Sequence, residues 1–269
     1  MDNSQSLRHI IREAESFIVT AGAGMGVDSG LPDFRGSEGF WDAYPPFKRL
    51  GLSFSDLANP RWFREDPYLA WGFYGHRLDL YRKTRPHVGF QVLLDHLRDR
   101  PHWVFTSNVD GQFQRAGFSQ DRIVEIHGSI HHLQCSRPCS SDIWSASSLT
   151  TKFNEQEFRW NGQLPVCESC DSVSRPNILM FGDGDFLDAR VDGQILRYTN
   201  WLEHVDLERL VVIEVGAGTA VPTIRLHSER LQQRGAVLVR INPREAFGPH
   251  GTIEVAASGE SGIQQIFGH

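Results

Sequence analysis

The sequence lacks the features that mark proteins binding nucleic acids or membranes. Its 269 residues include 27 Lys and Arg against 33 Asp and Glu, a net charge of -6, so no broad basic surface is expected. The first 16 residues mix charges without a signal-type apolar stretch, and apolar runs such as residues 210–213 are too short to span a bilayer. Repeats, low-complexity tracts and lipidation motifs are absent as well. These absences predict a cytoplasmic protein without a nucleic-acid or membrane partner.

Cysteine is also scarce, and the few that exist lie in two close pairs. The four cysteines form Cys135-x3-Cys139 and Cys167-x2-Cys170, with 27 residues between the pairs. Two short-spaced pairs of thiolates are what a tetrahedral structural zinc site requires, whereas disulfides need an oxidising compartment that the sequence does not indicate. The spacing therefore predicts a closed zinc site that stabilises an insert. No cysteine is left over to act as a nucleophile.

The chain contains enough apolar residues for a sizeable core: 40% of its residues are hydrophobic, and 17 are Phe. The predicted buried strands are residues 17–20, 103–106, 210–215 and 237–242. The predicted helices are residues 4–15, 86–98 and 223–233. Residues 60–82 are unusually aromatic and are expected to form short helices of a small subdomain. Helices that alternate with buried strands predict a parallel α/β sheet.

A glycine-rich turn follows the first predicted strand. Gly22, Gly24 and Gly26 have no Cβ, so their backbone N–H groups are expected to approach a phosphate closely. The G-x-G-x-G spacing differs from the usual dinucleotide fingerprint, and no helical pattern opens directly after it. Residues 29–36 then carry an acid, an aromatic ring and a guanidinium in a row, and residues 38–46 have the composition of a mobile loop over a ligand. A plain strand-to-helix turn is the alternative.

Polar side chains follow the next two strand-like runs. Asn108 and Asp110 come directly after residues 103–106, and an amide with a carboxylate can recognise a carboxamide such as nicotinamide. His127 ends a further apolar run and suits a general base near neutral pH. The alternatives are an ordinary Asn-x-Asp-Gly turn and a structural histidine.

Two further patterns concern ligand recognition. Tyr74 and Arg77 stand at positions i and i+3, so on a helix their hydroxyl and guanidinium can converge on one carboxylate. A helix-surface tyrosine and arginine is the alternative.

Near the C-terminal end, a glycine turn at Gly216 lies between a strand and a helix. The next predicted strand ends at Asn242, in the arrangement of a Rossmann βαβ unit.

In their order along the chain, these motifs resemble the signatures of the sirtuin family of NAD-dependent protein deacylases. Gly22-Ala23-Gly24 with residues 29–35 is similar to the first signature. Residues 106–110 are similar to the second, with Ser107 where the family has Gln. His127-Gly128 stands where the family has its catalytic His-Gly.

The later part of the chain continues the resemblance and also departs from it. Residues 175–183 are similar to the family segment that ends in Phe-Gly-Glu and pairs with a bound peptide by strand addition, although Asp183 replaces the Glu. The Tyr-x-x-Arg pattern is similar to that of sirtuins that accept succinylated or malonylated lysine. Gly216-Ala217-Gly218 stands where the family has Gly-Thr-Ser, and Gly26 where it usually has Ser.

The resemblance implies an α/β fold, with a Rossmann-type parallel sheet, helices on both of its faces, and a small zinc-binding insert domain. It implies a single catalytic domain over residues 1–269. The large part is expected at residues 1–40, 84–130 and 175–269, and the small part at residues 41–83 and 131–174.

The resemblance also implies a set of site residues. His127 and Asn108 are implied to be catalytic, with His127 as the base on a ribose hydroxyl. The implied NAD-binding residues are Gly22, Ala23, Gly24, Asp33, Phe34, Arg35, Ser107, Asn108, Asp110, Gly216 and Asn242, the last at the adenine ribose. The implied contacts to an acyl-lysine substrate are Tyr74, Arg77, Met180, Phe181 and Gly182.

The implied reaction moves an acyl group from a lysine of a protein or peptide to the ADP-ribose part of NAD and releases nicotinamide. The departures at Gly26, Ser107, Asp183, Ala217 and Gly218 leave two alternatives. One is an NAD hydrolase or ADP-ribosyltransferase, and the other is a non-catalytic module that binds NAD or ADP-ribose.

Overall fold

The computed structural model describes residues 3–32, 40–41, 43–154 and 156–268, with only the main chain for residues 3–6. Its strands are β1 (Ser16–Ala21), β2 (His102–Thr106), β3 (Ile123–Glu125), β4 (Gly128–Cys135), β5 (Ile143–Ser145), β6 (Phe153–Asn154), β7 (Arg159–Trp160), β8 (Ser174–Ile178), β9 (Leu210–Val215), β10 (Val237–Ile241) and β11 (Ile253–Val255). Its α-helices are α1 (Asn3–Glu13), α2 (Pro45–Arg49), α3 (Phe54–Leu57), α4 (Trp62–Glu65), α5 (Pro67–Lys83), α6 (Val88–Leu97), α7 (Gln112–Arg115), α8 (Ala189–Leu202), α9 (Thr223–Gln233) and α10 (Gly259–Phe267). Short 3-10 helices lie at Ala23–Ser29, Gln120–Arg122 and Leu207–Arg209.

Six strands form one parallel sheet in the order β11-β10-β9-β1-β2-β3. From β1 the chain builds outward through β2 and β3, and it later returns to the other side of β1 through β9. The strand order therefore reverses between β1 and β9. In open α/β sheets ligands bind at such a reversal, outside the carboxyl ends of the strands. The turns after β1 and β9 are the two glycine-rich segments of the sequence.

Helices cover both faces of this sheet, which confirms the predicted fold class. Side chains of β1 alternate between the two faces: Phe17 and Val19 belong to one apolar core, and Ile18 belongs to the other. The first core also holds side chains of α6 and α10, and the second holds side chains of α8 and α9. All residues of β1, β2 and β9 are buried, as expected for parallel strands covered on both faces.

A third apolar core lies under a smaller antiparallel sheet of order β5-β4-β8. Many side chains of this core are aromatic. Tyr44 packs edge to face on Phe73 with ring centroids 5.2 Å apart, and Trp71 packs in a tilted arrangement on Trp160 at 5.6 Å. Trp71 and Phe73, from the aromatic stretch at residues 60–82, are therefore core residues. The boundaries assigned to the large and small parts stay a prediction.

The stretch expected to form short helices contains one short helix, α4, and then one long helix. Residues 67–83 make one helix of 17 residues, α5, which begins at Pro67 with the Asp66 side chain accepting a hydrogen bond from the Leu69 N–H. Gly72 interrupts the helical pattern in the sequence, yet a Cβ there would lie 1.8 Å from the Phe158 carbonyl oxygen. The glycine permits close packing of α5 against the chain before β7. Because α5 is buried around most of its circumference, it shows little of the amphipathic pattern that reveals a helix in sequence.

Two expectations about the loops also require correction. A 3-10 helix at Ala23–Ser29 follows the first glycine directly, with Met25 buried in the core, although the sequence shows no helical pattern there. Of the expected mobile loop 38–46, residues 38, 39 and 42 lie outside the described residues. In the described remainder, Phe40 and Tyr44 are fully buried and stack at 5.3 Å, so this part belongs to the third core.

None of the described helices is both long and apolar enough to cross a bilayer.

Candidate active site

A cleft of about 900 Å³ opens at the carboxyl ends of β1, β2 and β9, between the large sheet and the third apolar core, which is called the aromatic core below. Predicted site residues that line it are Gly22, Ala23, Tyr74, Arg77, Ser107, Asn108, Asp110, His127, Met180, Phe181 and Gly216. Gly24, Gly182 and Asn242 were also predicted but do not line it. The predicted residues Asp33, Phe34 and Arg35 lie outside the described residues.

The two glycine turns at the cleft floor pack against each other. A Cβ on Gly216, where φ is +64°, would lie 2.4 Å from the carbonyl carbon of Gly24, and a Cβ on Gly22 would lie 2.8 Å from the Ala217 Cα. The Gly22 N–H donates to the Val215 carbonyl and the Gly24 N–H to the Gly216 carbonyl, each at 3.0 Å. These two N–H groups are therefore used within the protein, contrary to their predicted role as phosphate donors. The glycines serve to bring the two turns together.

Asn108 connects the end of β2 to the first glycine turn. Its side-chain Nδ2 donates to the Gly22 carbonyl at 2.9 Å, and its backbone N–H donates to the Thr106 hydroxyl at 3.0 Å. The carboxamide is thereby held in one orientation at the cleft wall. Asn108 is thus close enough to contact a ligand that lies on the floor of the cleft.

Asp110 follows on the same wall. Its Oδ1 accepts a hydrogen bond from the Gln112 N–H at 2.9 Å. Burial raises the pKa of Asp110 to about 6, and this hydrogen bond opposes the rise. The carboxyl group therefore changes charge close to neutral pH, which is typical of a binding or catalytic position.

His127 enters the cleft from the turn between β3 and β4. Burial lowers its pKa below the ordinary value, and a hydrogen bond to the Ser107 backbone partly offsets this. The neutral ring is then the form present near pH 7, as a general base requires. Gly128, at φ +79°, completes the turn, since a Cβ there would lie 2.1 Å from the Asn177 carbonyl oxygen on β8. His127 thus lines the cleft, and the glycine that follows it allows β4 to approach β8 closely.

The segment after β8 forms the rim of the cleft. The Leu179 N–H donates to the His127 carbonyl at 3.0 Å, and the Phe181 N–H donates to the Ala58 carbonyl at 2.8 Å. The Met180 N–H donates to the Asp183 carboxylate at 3.2 Å. A peptide that adds to this segment as a strand would have to pair through main-chain groups other than these three. The Phe181 side chain remains 43% exposed at the rim.

A buried ion pair shapes this rim. The Arg175 guanidinium binds the two Asp183 oxygens at 2.7 and 2.9 Å, and both side chains are fully buried. Asp183 also accepts the backbone N–H of Asp185 at 3.1 Å. Asp183 therefore holds the rim segment in place and does not line the cleft.

Replacing Asp183 by alanine is expected to destabilise the protein by about 3–5 kcal/mol, because the Arg175 charge would be left buried without its partner. Urea unfolding measures the difference. Asp185→Ala is the matched control: its pairing with Arg64 at 3.2 Å is solvent-exposed, so a loss below about 1 kcal/mol is expected. Similar small losses for both variants would contradict this view of the rim.

The far end of the cleft is formed by residues that the sequence did not single out. Thr219, Arg244 and Glu245 line it, and the Thr219 hydroxyl donates to Glu245 Oε1 at 2.7 Å. Asn242 is fully buried instead: its Nδ2 donates to the Ala217 carbonyl, and its Oδ1 accepts the N–H groups of Arg244 and Glu245. It holds the turn that presents those two residues. An acid shortly after the second strand of a Rossmann unit is the signal by which Glu245 could have been found.

Tyr74 and Arg77 lie side by side in the part of the cleft that reaches into the aromatic core. Both are almost fully buried, and the Tyr74 hydroxyl has no hydrogen-bond partner in the described part of the chain. Burial raises the pKa of Tyr74 to about 12 and so keeps its proton in place as a donor. Arg77 donates to the Tyr81 hydroxyl, and Tyr81 also lines the cleft. The spacing of Arg77 and Tyr81, one helical turn apart, is the signal by which Tyr81 could have been found.

The four cysteines converge at the end of the small sheet, outside the cleft. Their sulfur atoms all lie within 4.8 Å of one another, and Cys135–Cys170 and Cys139–Cys167 are each 3.6 Å apart. All four are free thiols. A tetrahedron of sulfurs around zinc, at Zn–S of about 2.3 Å, has edges of about 3.8 Å. The four sulfurs therefore fit a zinc ion, as the spacing predicted.

Comparison with known proteins places these features in a family. The Sir2 family model matches residues 22–218. An NAD-dependent protein deacylase of Leptospira interrogans is 30% identical over 244 residues, which cover 90% of this chain and 87% of that protein. An NAD-dependent protein deacylase of Aquifex aeolicus is 29% identical over 232 residues, or 86% of this chain and 84% of that protein. A solved complex of a Sir2 homologue with NAD has a TM-score of 0.74 at 25% identity, covering 97% of this chain and 92% of the other.

The fold and the cleft define a nucleotide-binding α/β protein with a cysteine cluster suited to zinc. The chain belongs to the Sir2 family.

Proposed function

We propose that this protein is an NAD-dependent lysine deacylase, which transfers an acyl group from a protein or peptide to ADP-ribose and releases nicotinamide. The observation that carries the proposal is the meeting of Asn108, Asp110 and a neutral His127 in one cleft at the strand-order reversal of the sheet. The names of the relatives and the NAD-bound Sir2 homologue support the same chemistry. Bound NAD would supply an electrophilic ribose carbon and nicotinamide as a leaving group.

Each residue then has a physical task. Asn108, held by the Gly22 carbonyl, and Asp110 would bind the carboxamide and ribose side of the cofactor. His127 would accept a proton from a ribose hydroxyl, which then takes the acyl group. Glu245 and Thr219 would hydrogen-bond the ribose at the far end of the cleft, in place of Asn242. Zinc held by the four cysteines would stabilise the small sheet, and a reducing, cytoplasmic setting is part of the proposal, because a zinc site needs reduced cysteines.

Nicotinamide release by the purified, zinc-loaded protein tests the proposal. We expect release to depend on an acyl-lysine peptide when NAD is present. Release from NAD alone would favour a hydrolase or an ADP-ribosyl transfer to another acceptor. Binding of NAD without release, across acetyl-, succinyl- and long-chain acyl-lysine peptides, would favour a non-catalytic module.

We further propose that the acyl group carries a carboxylate, as in succinyl- or malonyl-lysine. Arg77 puts a positive charge in a part of the cleft whose other walls include aromatic rings, and the Tyr74 hydroxyl beside it offers a donor. A carboxylate there would gain charge-assisted hydrogen bonds, which are about twice as strong as neutral ones. An acetyl group has no carboxylate that could accept these hydrogen bonds.

Replacing Arg77 by methionine is expected to lower kcat/KM for a succinyl-lysine peptide by about tenfold to a hundredfold, the value of one hydrogen bond to a charged group. The rate on the matching acetyl-lysine peptide should change little, because methionine preserves most of the apolar volume. Arg64→Met, at an exposed position of α4, is the control and should leave both rates unchanged. Equal rates on the two peptides for the native protein, unaltered by Arg77→Met, would contradict the acidic preference.

A further inference from the structure

The guanidinium of Arg77 is held by a second side chain of its own helix. Its Nε and Nη2 both donate to the Tyr81 hydroxyl, at 3.1 and 2.9 Å. Tyr81 lies one turn further along α5 and is itself buried at the wall of the cleft. Two donors on one oxygen fix the rotation of the guanidinium plane as well as its position.

Aromatic rings enclose the same guanidinium. The Cζ atom of Arg77 lies 5.3 Å from the ring centroid of Phe73, 5.4 Å from that of Tyr81 and 5.7 Å from that of Phe54. Such distances are those of cation–π contacts, which favour the positive charge in an otherwise apolar pocket. The rings restrict the position of the guanidinium, but they do not fix its orientation. The hydrogen bonds to the Tyr81 hydroxyl fix the orientation.

We propose that Tyr81 is a positioning residue for acidic acyl groups: by holding Arg77 on one edge, it presents the guanidinium to the cleft in a fixed orientation. The inference rests on the proposed deacylase function and deepens it. An arginine side chain has many rotamers, and a ligand that must order it loses affinity. Since Tyr81 has already ordered Arg77, a carboxylate in the cleft binds without that loss. An uncharged acyl group gains no affinity from the ordered Arg77, because it has no carboxylate to bind the guanidinium.

Tyr81→Phe isolates this effect, because it removes one oxygen and keeps the aromatic ring. We expect KM for a succinyl-lysine peptide to rise by about fivefold to tenfold, less than for Arg77→Met, because Tyr81→Phe keeps the charge that binds the carboxylate and removes only the hydrogen bonds that orient it. The value of kcat should stay within about twofold, since Arg77 contacts the acyl carboxylate equally in the bound substrate and in the transition state, and loss of such uniform binding raises KM alone. KM for the acetyl-lysine peptide should not change.

Three further measurements separate positioning from a merely structural role. In the Arg77→Met background, Tyr81→Phe should have no added effect on the succinyl peptide, because the group it positions is gone. Titration of succinylated peptide into the protein without NAD should show the same loss of affinity as KM. Tyr198→Phe is the matched control: it removes a buried tyrosine hydroxyl that pairs with His227 at 2.8 Å and does not line the cleft, so both peptides should be processed normally.

Several results would overturn the inference. The inference is wrong if Tyr81→Phe leaves the succinyl KM unchanged, weakens acetyl and succinyl peptides equally, or acts as strongly without Arg77 as with it. A native protein that deacylates acetyl-lysine but not succinyl-lysine would overturn it while leaving the deacylase function intact. A native protein without any peptide-dependent nicotinamide release would instead remove the proposed function on which it rests.

Discussion

Replacing His127 by alanine is expected to reduce acyl transfer from lysine by about 100-fold to 10,000-fold, the usual contribution of a general base. The side chain lies in the cleft, and burial keeps its pKa below the ordinary value, so that it is unprotonated at neutral pH. Deacylation of a peptide, followed by mass spectrometry, gives the rate. The thermal unfolding temperature of the variant shows whether the fold is retained.

His250→Ala is the matched control, since His250 is exposed and lies away from the cleft. It should retain full activity. If His127→Ala were as active as this control, the base would have to be another group. The proposed role of His127 would then be wrong.

The pH dependence provides a second view of the same residue. Because the folded pKa of His127 lies below the unfolded value of about 6.5, the rate should hold at neutral pH and fall only as pH drops below about 6.5. In that acidic range the unfolded chain takes up the proton first, so this histidine also makes the fold less stable as pH falls. Asp110, with a pKa of about 6, titrates in the same cleft, so the acidic limb reports both groups.

Loss of zinc is the other change with a large expected effect. Cys135→Ser removes one of four converging sulfurs, and Cys135 is buried at the end of β4, where the small sheet meets the cysteine cluster. We expect the variant to lose its zinc and its thermal unfolding temperature to fall by about 10 °C or more, since each kcal/mol is worth about 2–4 °C in a domain of this size. Metal analysis and calorimetry measure the two quantities.

Ser147→Ala, an exposed position between β5 and β6, is the control for the zinc experiment and should keep both properties. The native protein should contain one zinc per chain. A native protein without zinc, or a Cys135→Ser variant with full zinc content and an unchanged unfolding temperature, would contradict a structural metal site.

The large sheet was predictable because its sequence signals are local. Runs such as residues 210–215 are apolar, partly β-branched and end at glycine, and β9 is found there. The helix at residues 223–233 was predicted with the same bounds because one face of α9 is apolar and the other polar. The cysteine cluster was predictable for a similar reason, since the spacing within each pair already meets the geometry of a metal site.

What the sequence did not reveal are contacts between distant parts of the chain. Asn242 ends a strand, as a ribose-binding residue should, but its side chain is used by the turn that carries Glu245. Gly216 has the residue type that a phosphate turn needs, yet its lack of a Cβ lets Gly24 approach. Tyr81 could be found from the sequence only through its spacing from Arg77, because its role depends on the hydrogen bonds that it accepts from that side chain. Residue type and spacing alone do not reveal which partner a side chain will have.

The most direct test of the proposed reaction is to measure nicotinamide and deacylated peptide in the same reaction, with NAD and a succinyl-lysine or acetyl-lysine peptide. The deacylase proposal predicts equal amounts of the two products, and neither product when NAD or the acyl group is omitted. Nicotinamide released without any change in the peptide, or peptide deacylated without NAD, would contradict it.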